Sequence, residues 1–383
     1  MAGISTAQTL TNNSVTDFLI VERNDRIGGR VRSAPFGTKS GKDRTPWTVE
    51  LGANWLVGLG AEGGSENPIW TMAKMYDIES TYSNYSNIRT YDQEGPADFG
   101  DLSDRYDAAY AGTSRHAGRL LTENLQDTSV RAGLALSGWR PRRAGDTHAQ
   151  ALEWWNWDFE TAYSPDESGL VFGVAGYNLT YNQFGDASNF VVDQRGFSYL
   201  IESEAGQFLA RRDPRLLLNT TVVDIAYTPQ GIQVSLDGGG CIESRFAVCT
   251  VSVGVLQSGD LAFSPPLPRW KREAIEQFQM GTYTKIFMQF EDAFWDADTQ
   301  FFLYADPITR GYYPIFQSLS APGFLNDSNI IFVTVVGDQS FRVEQQSDEV
   351  TRAEVMAVLR AMFPNKKIPD PIAFMYPRWS TEK

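Results

Sequence analysis

The segment Asp17-Phe18-Leu19-Ile20-Val21-Glu22-Arg23-Asn24-Asp25-Arg26-Ile27-Gly28-Gly29-Arg30 decides the reading of the fold. Its apolar run is the pattern of a strand buried on both faces, and the run ends on an acid. A carboxylate at the end of such a strand is placed to take both hydroxyls of an adenosine ribose. The glycine pair lets backbone approach a pyrophosphate, and Arg30 neutralises its charge. Upstream, Ile4 to Leu10 reads as a short helix, so helix, strand and terminal acid form half of a dinucleotide-binding unit. Gly3 stands 19 residues before Glu22, close to where the last glycine of a G-x-G-x-x-G turn falls, about 20 residues before the acid. Without Glu22 it would read equally well as an incidental glycine near a terminus.

The rest of the chain limits what such a unit serves. At 383 residues, 42% hydrophobic and 21% charged, it has the composition of an ordinary globular protein of roughly two or three domains. A formal net charge of -14 and no basic stripe argue against a nucleic-acid partner. The longest largely apolar run, Ile330 to Val336, is seven residues with Thr334 among them, a buried strand rather than a membrane span. The two cysteines, Cys241 and Cys249, have no metal-ligand spacing and read as buried free thiols. With only His116 and His148 in the chain, neither a histidine metal site nor a Ser-His-Asp hydrolase is expected, and the chemistry falls to a cofactor.

A three-stranded meander is predicted from Leu216–Tyr227, Ile232–Leu236 and Phe246–Val253 around a Gly238-Gly239-Gly240 turn. After the break at Pro265, Pro266 and Pro268 come a helix near Arg269–Phe278 and a strand Tyr283–Phe290. Ser347 is placed to cap a helix that Pro364 stops. Residues 82–181 read as mostly helical, with aromatics concentrated at Trp154-Trp155-Asn156-Trp157-Asp158-Phe159. The fold class expected is α/β, with two interleaved discontinuous domains.

Glu50-Leu51-Gly52-Ala53-Asn54-Trp55 places a Gly-Ala pair where a flat ring could approach the backbone. Taken alone it is a turn. Together, the acid-ended strand, Ile27-Gly28-Gly29-Arg30 and this second segment resemble the flavin amine oxidase family, and within it the polyamine oxidases of plants and fungi. The likeness runs on through Asp193-Gln194-Arg195-Gly196-Phe197, Val222-Val223, Tyr283-Thr284-Lys285 and Tyr376-Pro377-Arg378-Trp379. A dehydrogenase using NAD is less well supported, because the IGGR pattern after the ribose acid is that of flavoproteins.

The resemblance implies FAD as cofactor and an amine oxidase fold. A Rossmann-like FAD domain (1–80 and 186–266) would interleave with a mixed-sheet and helical substrate domain (81–185 and 267–383). Gly3, Glu22, Gly28, Gly29, Arg30 and the Val223 backbone would hold the ADP half, and Gly52, Ala53, Asn54 and Trp55 would line the flavin ring. Lys285 would meet flavin N5 through a water, and Glu160 would attract a remote ammonium of spermine or spermidine. Read from spacing alone, Lys285 is a strand lysine reaching water, and Glu160 reads equally well as a solvated helix acid. Tyr283, Tyr312, Tyr313 and Phe316 could wall a long polycation or simply fill the core. The reaction implied is hydride transfer from the carbon next to an amine nitrogen to flavin N5, followed by imine hydrolysis and reoxidation by O2 to hydrogen peroxide. The expected protein is a monomer with a polyamine substrate and no membrane span.

Two departures bear on substrate. Val57 stands where the plant enzymes carry an acid, a loss of about 1 to 3 kcal/mol for a charge-assisted contact, and Thr161 replaces an aromatic beside the tunnel acid. A monoamine or amino-acid oxidase of the same family, or an inactive polyamine-binding fragment, are therefore the alternatives. Five sequons, at Asn12, Asn84, Asn178, Asn219 and Asn326, exceed the roughly two expected by chance and favour secretion; peroxisomal and cytoplasmic locations are the alternatives. Relative to the family pattern, the chain lacks the first strand of the dinucleotide unit and the C-terminal FAD segment. The expectation is weak FAD retention, checked by the visible spectrum after incubation with FAD and desalting. A stoichiometric flavin band would overturn it.

Overall fold

A computed structural model describes residues 1–39, 44–60, 64–142 and 144–382; Lys383, the last residue of the sequence, lies outside them. The chain forms two compact units, one from Met1–Ser33 and Arg195–Met280, the other from Ala34–Gln194 and Gly281–Glu382.

In the first unit the helix Ala2–Asn12 buries Ile4 and Ala7, one turn apart, and packs on the helix Ser198–Gly206. The apolar run after Asp17 pairs only at Ile20–Val21, parallel to Leu216–Leu217. Phe18 instead packs edge-on against Phe208 and under the Arg215 guanidinium. A four-stranded sheet comes next, in the order Cys241–Ser244, Gly231–Leu236, Val222–Thr228, Ala262–Ser264. Its first three strands are an antiparallel meander and the last runs parallel.

Two expectations are corrected here. The third strand of the meander is Cys241–Ser244, not Phe246–Val253. The glycine turn returns the chain at once, so Gln233 pairs with Glu243, and the nearer partner in sequence takes the ladder. Residues 246–251 carry no strand ladder, and Phe246, Val248 and Val251 are exposed. Both cysteines are exposed rather than buried, because Cys241 sits on the outer strand of this sheet and Cys249 in the unpaired stretch. The segment from Leu216 also divides, Leu216–Leu217 joining one sheet and Val222–Thr228 another.

The second unit is built on a seven-stranded sheet ordered Ala373–Met375, Tyr283–Gln289, Ile330–Val336, Ile315–Ser318, Phe301–Tyr304, Ile88–Asp92, Gly95–Pro96. The predicted buried strand Ile330–Val336 is central, with every residue buried. Cross-strand register aligns Lys285 with Thr334 and Thr334 with Ile315. Side chains alternate, so Lys285, Thr334 and Ile315 share one face while Ile286, Val333 and Phe316 share the other.

The second face packs on the helix Asp348–Met362, whose Val355, Met356, Leu359 and Met362 join Ile286, Phe316 and Val333 in one core. Ser347 caps that helix as predicted, its hydroxyl accepting from the Val350 amide at 3.4 Å. Opposite, Phe301, Leu303 and Ile315 pack among Tyr106, Leu134, Trp157 and Leu170 from the helical middle of the chain. A smaller sheet orders Trp55–Val57, Ser188–Val191, Ser80–Tyr82. Phe316→Ala should therefore act as a core truncation, lowering stability by about 3 to 5 kcal/mol in urea unfolding; a loss below about 1 kcal/mol would contradict this packing.

Candidate active site

The side chain that organises the second unit's polar interior is Lys285. It is 1% exposed, and its ammonium donates to Gly52 O at 2.8 Å, Glu50 O at 3.0 Å and Asn54 Oδ1 at 3.1 Å. Three N–H groups thus meet three acceptors, all on one turn. Asn54 is fixed in turn by its Nδ2, which donates to Val191 O at 3.0 Å. The Lys285 nitrogen also lies 5.1 Å from the centroid of Trp55, a cation-π contact in a desolvated place. Trp55 Nε1 donates to Ser83 Oγ at 3.2 Å. Gly52 is half-buried and Ala53 exposed. Three of the four residues predicted from the turn, Gly52, Asn54 and Trp55, therefore meet the predicted lysine.

Aromatic rings extend this cluster. Phe159 packs edge-on to Trp55 at 6.1 Å and tilts against Tyr283 at 5.9 Å and Trp155 at 4.8 Å. Tyr85 lies against Trp155 and stacks on Phe301. Glu160, half-buried beside Phe159, has Tyr85, Tyr177 and Tyr283 within its field. Burial first, and the Glu160 charge second, push all three phenols above their ordinary value. Thr161 turns its hydroxyl back to Trp157 O, and Val57 is half-buried in its short strand.

The other three residues predicted along a substrate path are placed elsewhere. Phe316 is on the sheet face opposite Lys285. Tyr313 is wholly buried in the same core, its hydroxyl donating to Glu354 Oε2 at 2.7 Å. Tyr312 packs on that core beneath the Arg342 guanidinium. The sequence reading missed Tyr85 and Tyr177 as groups within the field of Glu160, and Trp155 and Phe159 as rings of this cluster. Its only signal was the aromatic concentration after Trp154, and Tyr85 comes from a distant segment with none.

In the first unit, Glu22 ends the short strand as predicted and accepts through Oε1 from the amide and side chain of Asn24. Among the described residues Glu22 Oε2 and the exposed Arg30 guanidinium make no hydrogen bond. Gly28 and Gly29 have φ of 108° and 58°, which only glycine adopts freely. Arg26 closes the loop, Nη2 donating to Gly29 O at 3.0 Å, a role the sequence did not reveal. Gly3 lies in the first turn of its helix. Val223 is the extra residue where the register slips between Val222 and Asp224, a bulge of the kind that borders binding sites.

The whole chain, residues 1–383, matches the family described as flavin containing amine oxidoreductase. The chain belongs to this family. Among its relatives, polyamine oxidase 1 of Zea mays is 35% identical, with 100% of this chain and 77% of the relative covered. Polyamine oxidase 6 of Oryza sativa subsp. japonica is 33% identical at the same coverage. A solved putrescine oxidase bound to putrescine superposes with a TM-score of 0.72 at 14% identity, covering 100% of this chain and 83% of the other, a likeness of fold. The mixed α/β architecture is thus that of the amine oxidases.

In this flavin amine oxidoreductase the lysine is poised near neutrality. Burial pushes Lys285 down to about 7, against the attraction of Glu50. Below pH 7 folded and unfolded chains both hold the proton, and the cost of burying the charge is felt in full. Between about 7 and 10.5 only the unfolded chain holds it, so stability rises with pH. Stability of the parent should therefore climb relative to Lys285→Met across that window, with a slope approaching about 1.4 kcal/mol per pH unit. Urea midpoints at pH 7, 8, 9 and 10 check this; parallel profiles would sink it.

Proposed function

We propose that this enzyme oxidises polyamines of the spermine and spermidine type, using FAD. The observation that carries the reading is the half-buried Glu160, whose charge acts on Tyr85, Tyr177 and Tyr283, next to Phe159, which links Tyr283 to Trp55 beside Lys285. A carboxylate with aromatic neighbours suits an ammonium at the far end of an aliphatic amine. The names of the relatives at 33 to 35% identity support the same substrate class.

The residues present fit the cofactor. The available Glu22 oxygen suits a ribose hydroxyl, the Arg30 guanidinium and the two left-handed glycines suit a pyrophosphate, and the Val223 bulge suits an adenine edge. Gly3 would complete the pyrophosphate turn, and Gly52, Ala53, Asn54 and Trp55 would face the ring. In this reading the unit of Met1–Ser33 and Arg195–Met280 holds the ADP half. FAD, when bound, supplies the acceptor for the hydride.

What the chain itself supplies is desolvation, alignment and proton handling. The amine must lose its proton before its neighbouring C–H bond is broken, and Lys285, near neutrality, holds or releases a proton at Nζ. Its neutral form has two N–H groups for three acceptors, so proton loss also frees one acceptor of the Glu50–Asn54 turn. The ring cluster of Trp55, Phe159 and Tyr283 excludes water and strengthens the pull of Glu160. A second reading, a monoamine substrate, is favoured by the apolar Val57.

Anaerobic mixing of the FAD-supplemented protein with spermine or butylamine tests both. Spermine should bleach the flavin faster, and Glu160→Gln should reduce its advantage about 10-fold or more, the loss of a charge-assisted contact. Faster reduction by butylamine in the parent enzyme would favour the second reading.

A further inference from the structure

One group of charges in the second unit lies outside the site described above. Glu153 is wholly buried and Asp158 is 4% exposed; they bracket the π-helical turn Trp154–Asp158. Arg310 forks onto Asp158, with Nη1 2.6 Å from Oδ2 and Nη2 2.6 Å from Oδ1, and Nη2 also reaches Glu153 Oε1 at 2.9 Å. Arg131 forks onto Glu153 from the other side, and Trp139 Nε1 donates to Glu153 Oε2 at 2.9 Å. Two buried carboxylates face two guanidiniums, and Arg131 Nε also donates to the exposed Asp166 Oδ2 at 3.2 Å.

Ion pairs of this kind add little stability over apolar packing, but a two-pronged arginine fixes direction. Direction matters at this turn. A π turn carries one residue more than an α turn, which rotates the residues after it by about 100°. Those residues are Phe159-Glu160-Thr161, ended by Ala162 at φ 62°. In that setting Phe159 meets Trp55 and Tyr283, and Glu160 meets the field of Tyr85, Tyr177 and Tyr283. Gly311, next to Arg310, lets its loop seat against the turn: a Cβ there would fall 2.8 Å from Trp154 Nε1.

We propose that Arg310 is a positioning residue for amine recognition, its fork on Asp158 and Glu153 holding the π turn so that Glu160 faces the remote ammonium of the substrate. The inference rests on the polyamine reading of Glu160. Arg310 acts through Glu160 and does not itself touch the amine.

Calorimetric titration of spermine into the parent protein, R310K, E160Q and R310K/E160Q tests it without flavin turnover. R310K keeps the charge and loses the fork. R310K and E160Q should each weaken binding about 10-fold, and the double variant should bind no worse than E160Q alone, since coupled residues are not additive. Unchanged affinity in R310K, or an additive double variant, overturns the positioning role and leaves the Glu160 reading standing. No spermine binding by the parent, or none lost in E160Q, overturns that reading and this inference with it. If R310K unfolds without a cooperative urea transition, D158N, which preserves the shape of the partner and breaks the charge pairing, is subject to the same expectations in its place.

Discussion

The contact on which the second unit depends is the one between the Lys285 ammonium and the Glu50–Asn54 turn. A buried charge needs every donor satisfied, and the segment leaving the strand Trp47–Glu50 needs donors for its carbonyls. Here each requirement meets the other: Gly52 and Glu50 offer backbone oxygens, Asn54 offers its amide, and Lys285 answers all three. The strand Tyr283–Gln289 thus determines where the turn lies, and Asn54 passes that position to Ser188–Val191 through its bond to Val191. Because the lysine sits near its midpoint at neutral pH, the same bonds that fix the turn also weaken when the proton leaves.

Much of this was legible in local pattern. The seven-residue run from Ile330, apolar except for Thr334, formed an interior strand, and Ser347 with two acids after it began a helix. The stretch Phe246–Val253 shows where local pattern stops. It has the composition of a buried strand, but strand formation is a property of pairs, and Cys241–Ser244 takes the available edge first. Composition also misplaced the cysteines, since burial depends on what covers a strand rather than on the thiol.

The site was legible in part. Lys285 and Glu50 to Trp55 were found as motifs, and the structure gathers them. Phe316 and Tyr313 could not be separated from Tyr283 by residue type. That distinction needs the register Lys285 to Thr334 to Ile315, which sends Phe316 to the other face. Nor does sequence announce the π turn Trp154–Asp158 that precedes Glu160. The partners that hold it, Arg131 and Arg310, come from segments 22 and 152 residues away from the carboxylates they hold.

The same separations govern the order of assembly. Lys285 and Glu50 are 235 residues apart, and Lys285 and Asn54 are 231 apart, so their contact is among the least local in the chain. The helix Asp348–Met362 and the hairpins of the sheet form from near neighbours; the lysine-bound turn waits until the sheet exists. A place for an amine beside this lysine is therefore a property of the assembled sheet and of no single segment of the chain.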